Sequence, residues 1–584
     1  MYRQNDFGAT LGGPVYIPKL YNGRNRTFLF GSYEGFRNRE GATASYSTIP
    51  TPEMYKGDFS RWVDSSNKVL QIYDPATTTK VGNSNVRTPF SGNLVPLDRF
   101  TAFAKSVIPY AEPIKPNAPG IERGGIYWIT NNYVTYTGSN VSPQDKGSLK
   151  VDHMINQSHR LAYFMNFTRY RNEIGPGGPT GLPVPLYSGQ PVKFDSDVYR
   201  LTHDWTLSPT TLNHFVVGGN LFDKLAGSPN SGINWQEKGV CIKGAFDCTI
   251  NFPIIEMSGY SSWGGSAWNG TEQPLWSIKE DLSHIRGQHS LKFGYSYQSQ
   301  RAFGIGFQRM AGLVNFNRLG TSVPAQTANQ SGSGFASFLL GQVNSARTQT
   351  KGYIRELYQY HGFYAQDDWR INRRLVLNLG LRYEFTLPPV ELDDQYSDFD
   401  PTLPNPAVNG YPGALRFAGF GPGRENTRRL VPGWYKGFGP RLGMAFSVNQ
   451  KTTLRAAFGR SFDKVNTVGS YGNLAGFVGQ YDGFATSDQG ITPAFQIDQG
   501  FPAYPLPPQI NPAFQNNQNV DYWHGQELTR APEELFWTFS INRQLTSSTV
   551  LEASYNAVVG VHLRASSLNI NQTPTKYLNE FIQK

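Results

Sequence analysis

Residues 366–385 read QDDWRINRRLVLNLGLRYEF, and the second half of this stretch alternates apolar and polar side chains over an unusual length. Successive side chains of a β-strand point to opposite faces, so one face here is apolar and the other mostly polar. About 11 strand residues extend ~36 Å, and a tilt of ~45° projects this to ~26 Å, close to the ~25 Å apolar band of an outer-membrane barrel. Strands of soluble sandwiches are shorter, with about 5 to 6 residues. The pattern therefore favours a membrane-spanning strand with these residues facing lipid: Leu375, Leu377, Leu379, Leu381, Tyr383 and Phe385.

The same alternation recurs in pairs of segments joined by short polar turns, which predicts β-hairpins. These pairs lie at residues 148–167, 196–219, 277–298, 439–459 and 536–556. The stretches between hairpins are rich in Gly, Pro, Ser and Asn and far exceed the usual ~4 to 6 residues of a connection. They lie at residues 171–196, 221–273, 303–352, 387–435 and 464–531. The predicted fold is all-β: an antiparallel transmembrane β-barrel of about 14 strands, with short periplasmic turns and long extracellular loops.

Composition agrees with a barrel and leaves one other class open. The 584 residues contain no run of about 18 apolar residues, which excludes transmembrane helices. Aromatic residues make up 14% of the chain and suit the girdles at a membrane interface. The net charge of +10 is diffuse and predicts no nucleic-acid partner. The alternative is a secreted, soluble, multi-domain β-protein that binds or hydrolyses carbohydrate, in which the aromatic residues gather in one groove rather than at both ends of the hairpins.

Two cysteines, Cys241 and Cys248, lie close together in CIKGAFDC. In an exported protein this spacing favours a local disulfide in an extracellular loop, and two unpaired thiols are the alternative reading. A zinc site is disfavoured because only two sulfur ligands are available.

Other candidate chemistry is weak. Asp367 and Asp368 are adjacent in a predicted strand, so they point to opposite faces and cannot share a substrate. The loop ELDDQYSDFD is a weak calcium candidate, with a solvated acidic loop as the default: Glu391, Asp393, Asp394, Asp398 and Asp400. No HExxH, GxSxG or phosphate-binding loop is present, so neither enzyme activity nor a cofactor is predicted.

A set of ordered motifs resembles a known family. These motifs are NDFGATLGGPVYIPKLYNGRNRTFLFGSYEGFR, TPEMYKGDFS, IYDPATT, PFSGNLVPLDRF, FASFLLGQV, FYAQDDWRINRRLVLNLGLRYE, FGPRLGMAF and LEASYNAVVGVHLRASSLNINQ. Together they resemble the β-barrel of TonB-dependent outer-membrane receptors, in particular the Oar-like branch, which carries a carboxypeptidase-regulatory-like domain ahead of its plug. The motifs span nearly the whole chain in the family order.

The resemblance implies a partial barrel domain over residues 1–584. Residues 1–37 are the first hairpin, 38–145 a long first extracellular loop, 146–558 successive hairpins and loops, and 559–584 a truncated end. A signal sequence, a plug and a TonB box precede the NDFG motif in the family, whose barrel has about 22 strands. We therefore expect a fragment of an outer-membrane protein that is inactive alone.

The resemblance also implies a function: import of a polar solute across the outer membrane, driven by the TonB complex through a plug. The alternation places a set of charged candidates on the lumen face: Lys150, Asp152, Arg200, Asp204, Lys292, Arg382, Glu384 and Arg441. Their mixed signs indicate a polar cargo, although lumen charges often only pair across strands. Siderophore, cobalamin, oligosaccharide and peptide receptors share such a barrel.

Overall fold

The computed structural model describes residues 2–39, 43–64, 68–123, 127–137, 141–172, 182–187, 189, 191–265, 269–324, 330–463, 474–516, 520 and 530–563. One antiparallel sheet of 15 strands dominates it. These wall strands are β1 (Arg3–Pro14), β2 (Thr27–Arg39), β3 (Val141–Met154), β4 (His159–Asn172), β5 (Val192–Ser208), β6 (Thr211–Ala226), β7 (Asn269–Glu272), β8 (Leu275–Arg286), β9 (His289–Gly306), β10 (Gly352–Arg370), β11 (Leu375–Glu391), β12 (Phe438–Asn449), β13 (Thr452–Phe462), β14 (Glu533–Gln544) and β15 (Val550–Val561).

The wall strands follow one another in the sheet in chain order, as expected for successive hairpins. The short strands β7 and β8 both pair with β6 and β9. They therefore occupy a single strand position in the sheet and are separated from each other at Gln273 and Pro274. The number of positions across the sheet therefore agrees with the predicted number of strands, and the all-β antiparallel prediction is confirmed. Among the described residues, β1 pairs only with β2 and β15 only with β14.

Strand register keeps each face of the sheet chemically uniform. Leu377 lies opposite Met444, and Leu379 lies opposite Leu442. On the other face, Arg441 lies opposite Gly380. Because register partners share a face, the apolar row found in the sequence continues from strand to strand around the wall. We call this face outward and the polar face inward.

Aromatic side chains on the outward face lie at both ends of the hairpins. Near the short turns, Trp205 stacks on His159 and Trp369 stacks on His289. At the other end of β11, Tyr383 stacks on Phe438 with ring centroids 4.5 Å apart. The aliphatic part of the β11 row lies between these two belts. This distribution favours a membrane wall over the soluble alternative, because amphipathic rings prefer the two interfaces of a bilayer.

The long connections contain short elements of their own. The helices are α1 (Ala102–Ala111) and α2 (Gly334–Leu339), with 3-10 turns at Met54–Lys56, Pro75–Thr77, Ser91–Asn93, Leu97–Arg99, Arg318–Thr321 and Pro406–Val408. The minor strands are Tyr16–Ile17, Tyr21–Asn22, Thr43–Ser47, Thr79–Val81, Ser84–Val86, Ile121–Arg123, Tyr127–Thr130, Tyr133–Thr137, Ile254–Met257, Leu313–Phe316, Gln342–Val343, Ser345–Gln349, Ser397–Pro404, Pro412–Phe417, Gln480–Ala485 and Phe495–Gln496. In the described part of the chain, no helix has the length and apolar character needed to span a membrane.

Most of the long connections pack together around one apolar core. We call this assembly the loop body; it comprises the described residues within 43–137, 182–187, 227–265, 307–350 and 474–504. Its largest fully buried side chains include Trp62, Trp263, Phe316, Phe335 and Phe338. Burying an aromatic side chain of this size contributes roughly 1.5–3 kcal/mol. The loop body is therefore a folded unit with a core, and not a set of independent loops.

The motif TPEMYKG at residues 51–57 predicts a short loop helix, with Thr as its N-cap, Pro at its first position and Gly after its end. It forms only a 3-10 turn at Met54–Lys56, and Thr51 does not cap it. The predicted stop is right, because Gly57 has a φ of 81° and packs too closely against Val95 for a larger residue. The expected domain divisions also differ from the strand bounds: β2 continues to Arg39, β3 begins at Val141 and β15 ends at Val561. Residues 564–584 lie outside the described residues.

Candidate functional site

The inward face of the sheet brings the lumen candidates together. Register places the predicted residues on β3, β5, β9, β11 and β12 on this one face. They divide into two charge networks on separate parts of the wall and a set of isolated cations. Alternation in the sequence predicted the face, but it could not predict which charges pair, because pairing depends on the register between strands.

The first network crosses β3 to β6. Lys150 lies 2.9 Å from Asp152, and Arg160 of the next strand lies 2.6 Å from the same carboxylate. Arg160 also approaches Asp204 at 3.7 Å, and His214 contacts Asp204 from the other side. Arg160 and His214 were not among the sequence candidates, although their even positions in alternating strands could have identified them.

The second network lies on β10 and β11 towards their extracellular ends. Arg382 donates to Glu384 over 2.9 Å and to the hydroxyl of Tyr360 over 2.6 Å. The Tyr360 hydroxyl in turn donates to Glu384. Only 8% of Glu384 is exposed, so its charge is compensated by two donors rather than by water. This triangle fixes polar groups rigidly on the wall.

Several inward cations have no acidic partner in the described part of the chain. Arg200 lies over the ring of Phe164, with its guanidinium carbon 5.2 Å from the centroid. Among the described residues, Lys292, Arg441 and Arg200 form no ion pair. Of the charges predicted from the sequence, all three carboxylates therefore have a basic partner, whereas three of the five cations have no acidic partner among the described residues. This wall can contact anionic groups without displacing an internal partner.

The paired aspartates of β10 separate as expected for adjacent strand residues. Asp368 accepts from Asn378 on the inward face, at 2.6 Å. Asp367 lies near a short turn and contacts Nδ1 of His289, 2.7 Å away. These two carboxylates do not form a common site.

The acidic loop after β11 does not gather its carboxylates. Their partners are backbone N–H groups for Glu391, Arg355 for Asp393, Arg428 for Asp394, Arg416 for Asp398 and the Thr402 hydroxyl for Asp400. No group of three potential metal ligands forms within the described ranges. Each of these five residues has a partner of its own, so a calcium ion would have to replace these separate contacts.

The two cysteines lie in the loop body between β6 and β7, and the structure joins them as a disulfide. Cys248 is 3% exposed and Cys241 is partly exposed. The bridge closes a small loop that packs Val240 and Ile242 into the apolar core. Its place is in a long connection, on the same side of the sheet as the other long loops.

Polar side chains tie the loop body together over long sequence separations. Arg87 is 7% exposed and donates to backbone carbonyls of two other connections, at Leu319, Gly320, Ser322, Gly490 and Ile491. The carboxylate of Asp498 accepts from the first N–H groups of α1, at Ala102 and Phe103. These contacts fix the positions of the connections relative to one another.

Asp74 forms another of these ties, because its carboxylate accepts two hydrogen bonds from Arg99. Partial burial raises the pKa of Asp74. The hydrogen bonds from Arg99 and from the Ala76 N–H lower it by more, so it lies below its ordinary value. Asp74 therefore keeps its charge, and this tie stays intact, at neutral pH.

A broad antiparallel sheet with an apolar outward face, a polar inward face and long connections on one side defines the wall of a membrane-spanning β-barrel. The chain belongs to the outer membrane beta barrel domain family, whose model matches residues 1–583. It is accordingly a protein of the outer membrane.

Solved structures that the chain matches include the outer membrane transporter YddB from Escherichia coli, at 9% identity, with a TM-score of 0.44 and coverage of 95% of this chain and 46% of that one. The ferric enterobactin receptor PfeA from Pseudomonas aeruginosa matches at 9% identity, with a TM-score of 0.37 and coverage of 95% and 50%. The ferric yersiniabactin uptake receptor FyuA from Yersinia pestis matches at 7% identity, with a TM-score of 0.35 and coverage of 95% and 53%. The chain spans about half the length of these structures. A comparison with curated protein sequences finds no match.

Proposed function

We propose that this chain forms the wall of an outer-membrane active transporter that imports a polar solute with energy from the TonB complex. The observation that carries the proposal is the inward face, where fixed charge networks and unpaired cations line a wall below a folded loop body. The ordered motifs that resemble Oar-like TonB-dependent receptors support the energy source. By that resemblance, the TonB complex acts through a plug domain.

The loop body favours selective capture over passive diffusion. A general pore needs an open mouth, whereas here the long connections share one apolar core and are tied by Arg87 and Asp498. A surface held in one shape can bind a particular solute with little loss of conformational entropy. The loop body is therefore the proposed capture surface, and the inward wall is the proposed path.

The charges favour a solute that carries anionic groups. Arg200, Lys292 and Arg441 form no ion pair with a described residue, whereas Asp152, Asp204 and Glu384 each have a basic partner. Among the residues predicted for the lumen face, the charge that has no ion-pair partner is thus positive. Charge of one sign along a channel attracts solutes of the opposite sign and accelerates their entry.

The test is depletion of polar solutes from a defined medium by cells that make this wall together with a plug domain, through which the resemblance has the TonB complex act. We expect at least one anionic solute to be depleted faster than by cells lacking it, and a proton uncoupler to abolish the difference. The double variant Lys292→Gln/Arg441→Gln should slow depletion. Arg286→Gln/Arg543→Gln, which removes two exposed arginines near the short turns, should not. Depletion that persists with the uncoupler would instead indicate a passive pore, and no difference between the strains would rule out transport.

A further inference from the structure

A group of cations lies on the outward face at the extracellular ends of β1 to β5. We call it the rim patch, and its members are Arg3, Arg37, Arg39, Arg169, Arg171 and Lys193. Strand register shows that they share the outward face with the apolar rows, since Arg3 lies opposite Arg39 and Phe167 lies two residues from Arg169 on β4. Side chains in this position face the outer leaflet of the membrane, not the lumen.

Carboxylates neutralise only part of this patch. Arg37 lies 2.7 Å from Asp145, Arg169 lies 2.7 Å from Asp197, and Asp195 contacts Arg169, Arg171 and Lys193. On the side of β6 and β7, Asp223 and Glu272 give the patch an acidic border. The uncompensated charge therefore lies towards β1 and β2.

Arg3 and Arg39 are the centre of that uncompensated charge. They are direct register partners across β1 and β2, and both are exposed. Neither forms an ion pair with a described residue, and Arg37 follows on the same face. Like charges directly opposite each other destabilise a strand pair unless an anion lies between them.

The patch lies next to aromatic side chains of the outward face. The guanidinium carbon of Arg37 lies 5.5 Å from the ring centroid of Phe7, and that of Arg169 lies 5.6 Å from the ring of Phe167. Aromatic residues on the outside of a barrel mark the level of lipid headgroups. Arginine forms bidentate hydrogen bonds with phosphate, so the chemistry and the level both match a phosphorylated headgroup.

We propose that the rim patch binds the phosphate groups of a glycolipid in the outer leaflet, with Arg3 and Arg39 as the main ligands. The acyl chains then lie along the apolar row below, which includes Leu11 and Leu29; 78% and 39% of these side chains are exposed. A free anion needs only the cations, whereas a lipid also explains why the cations continue directly into an exposed apolar surface. The site is separate from the proposed transport path, because it lies on the other face of the wall.

The experiment compares full-length variants extracted from outer membranes in mild detergent, with the bound phosphorylated glycolipid quantified by native mass spectrometry. We expect Arg3→Gln/Arg39→Gln to reduce the lipid-bound fraction about tenfold, because two charge-assisted contacts are lost. The control Arg286→Gln/Arg543→Gln removes equal charge near the short turns and should retain the lipid. Equal retention in the two double variants, or equal loss, would overturn the proposal.

A second measurement uses the unaltered protein, so it does not depend on how the variants fold. Delipidated protein is offered the glycolipid with its phosphates or after enzymatic removal of the phosphates, and we expect binding only of the phosphorylated form. Excess inorganic phosphate should not displace the bound lipid. Binding of both forms would exclude phosphate recognition, and displacement by inorganic phosphate alone would show a free-anion site instead.

Discussion

Single side chains on the wall can be used to test which face of the sheet contacts lipid. Leu379 lies on the outward face with 38% of its surface exposed, whereas its neighbour Asn378 donates to Asp368 on the inward face. We predict that Leu379→Arg reduces barrel stability by ~2–4 kcal/mol, because it places a charge in the lipid. Asn378→Arg should cost much less, since the new cation meets water and Asp368. Urea titrations of folding in lipid vesicles measure both, and equal costs would mean that the faces are assigned wrongly.

Glu280 is an exception to the apolar outward face. It lies opposite both Phe215 and Tyr295. It accepts a hydrogen bond from the amide of Asn213 and forms no ion pair with a described residue. An ionised carboxylate facing lipid is costly. Glu280→Gln keeps a hydrogen-bonding side chain and removes the charge, so we predict a gain of ~1 kcal/mol in the same vesicle titration. Glu552→Gln on the inward face of β15 should leave stability unchanged. A loss of stability in Glu280→Gln would show that the carboxylate itself has a partner in the membrane.

Whole strands were predictable from the sequence, but the packing of the loops was not. The Leu375–Phe385 alternation identifies a strand because a period of two is a local property of the chain. In contrast, Trp62 donates to the carbonyl of Gly332, and such a contact between distant segments leaves no local pattern. Helix α1 was not predicted, although Thr101 caps it and its buried residues have helical spacing; Pro109 inside the helix weakens the local helical signal. The charge networks also needed the register that only the folded sheet supplies.

Arg87 holds separate connections together within the loop body. It is buried, and its guanidinium donates to carbonyls on residues 319–322 and 490–491. We predict that Arg87→Ala lowers the free energy of local opening of these segments by at least ~3 kcal/mol, because several buried carbonyls lose a charged donor. Hydrogen exchange should then quicken at these segments and leave the wall strands unchanged. Lys80→Ala, at an exposed position in the same connection, should not change hydrogen exchange in these segments or in the wall strands. Faster exchange across the wall in Arg87→Ala would mean that Arg87 supports the whole fold.

The disulfide between Cys241 and Cys248 can also be tested, and it lies in the same loop body. We predict that both thiols resist alkylation in protein from intact outer membranes and react after reduction, because the compartment is oxidising. The double change to serine should destabilise this loop by ~2–3 kcal/mol on a chain-entropy estimate, without unfolding the wall. Alkylation without reductant would show free thiols and refute the prediction.

At the scale of the whole molecule, every short turn lies at one end of the sheet and every described long connection after β2 lies at the other. The turn after β8 at Gly287 and Gln288 belongs to the first set, and the tip of the Ser397–Phe417 hairpin at Val408 and Tyr411 belongs to the second. In a barrel of this family, the short turns face the periplasm and the long loops face the outside of the cell.

Single cysteines at Gln288 and Tyr411 test this orientation, since Tyr411 is 72% exposed and the two native cysteines are paired with each other. We predict that a membrane-impermeant maleimide labels Tyr411→Cys on intact cells, and labels Gln288→Cys only after the outer membrane is permeabilised. The physical reason is that the wall between the two ends is apolar outside and cannot invert once inserted. Labelling of Gln288→Cys on intact cells, with Tyr411→Cys protected, would place the loop body in the periplasm and remove the basis for solute capture from outside.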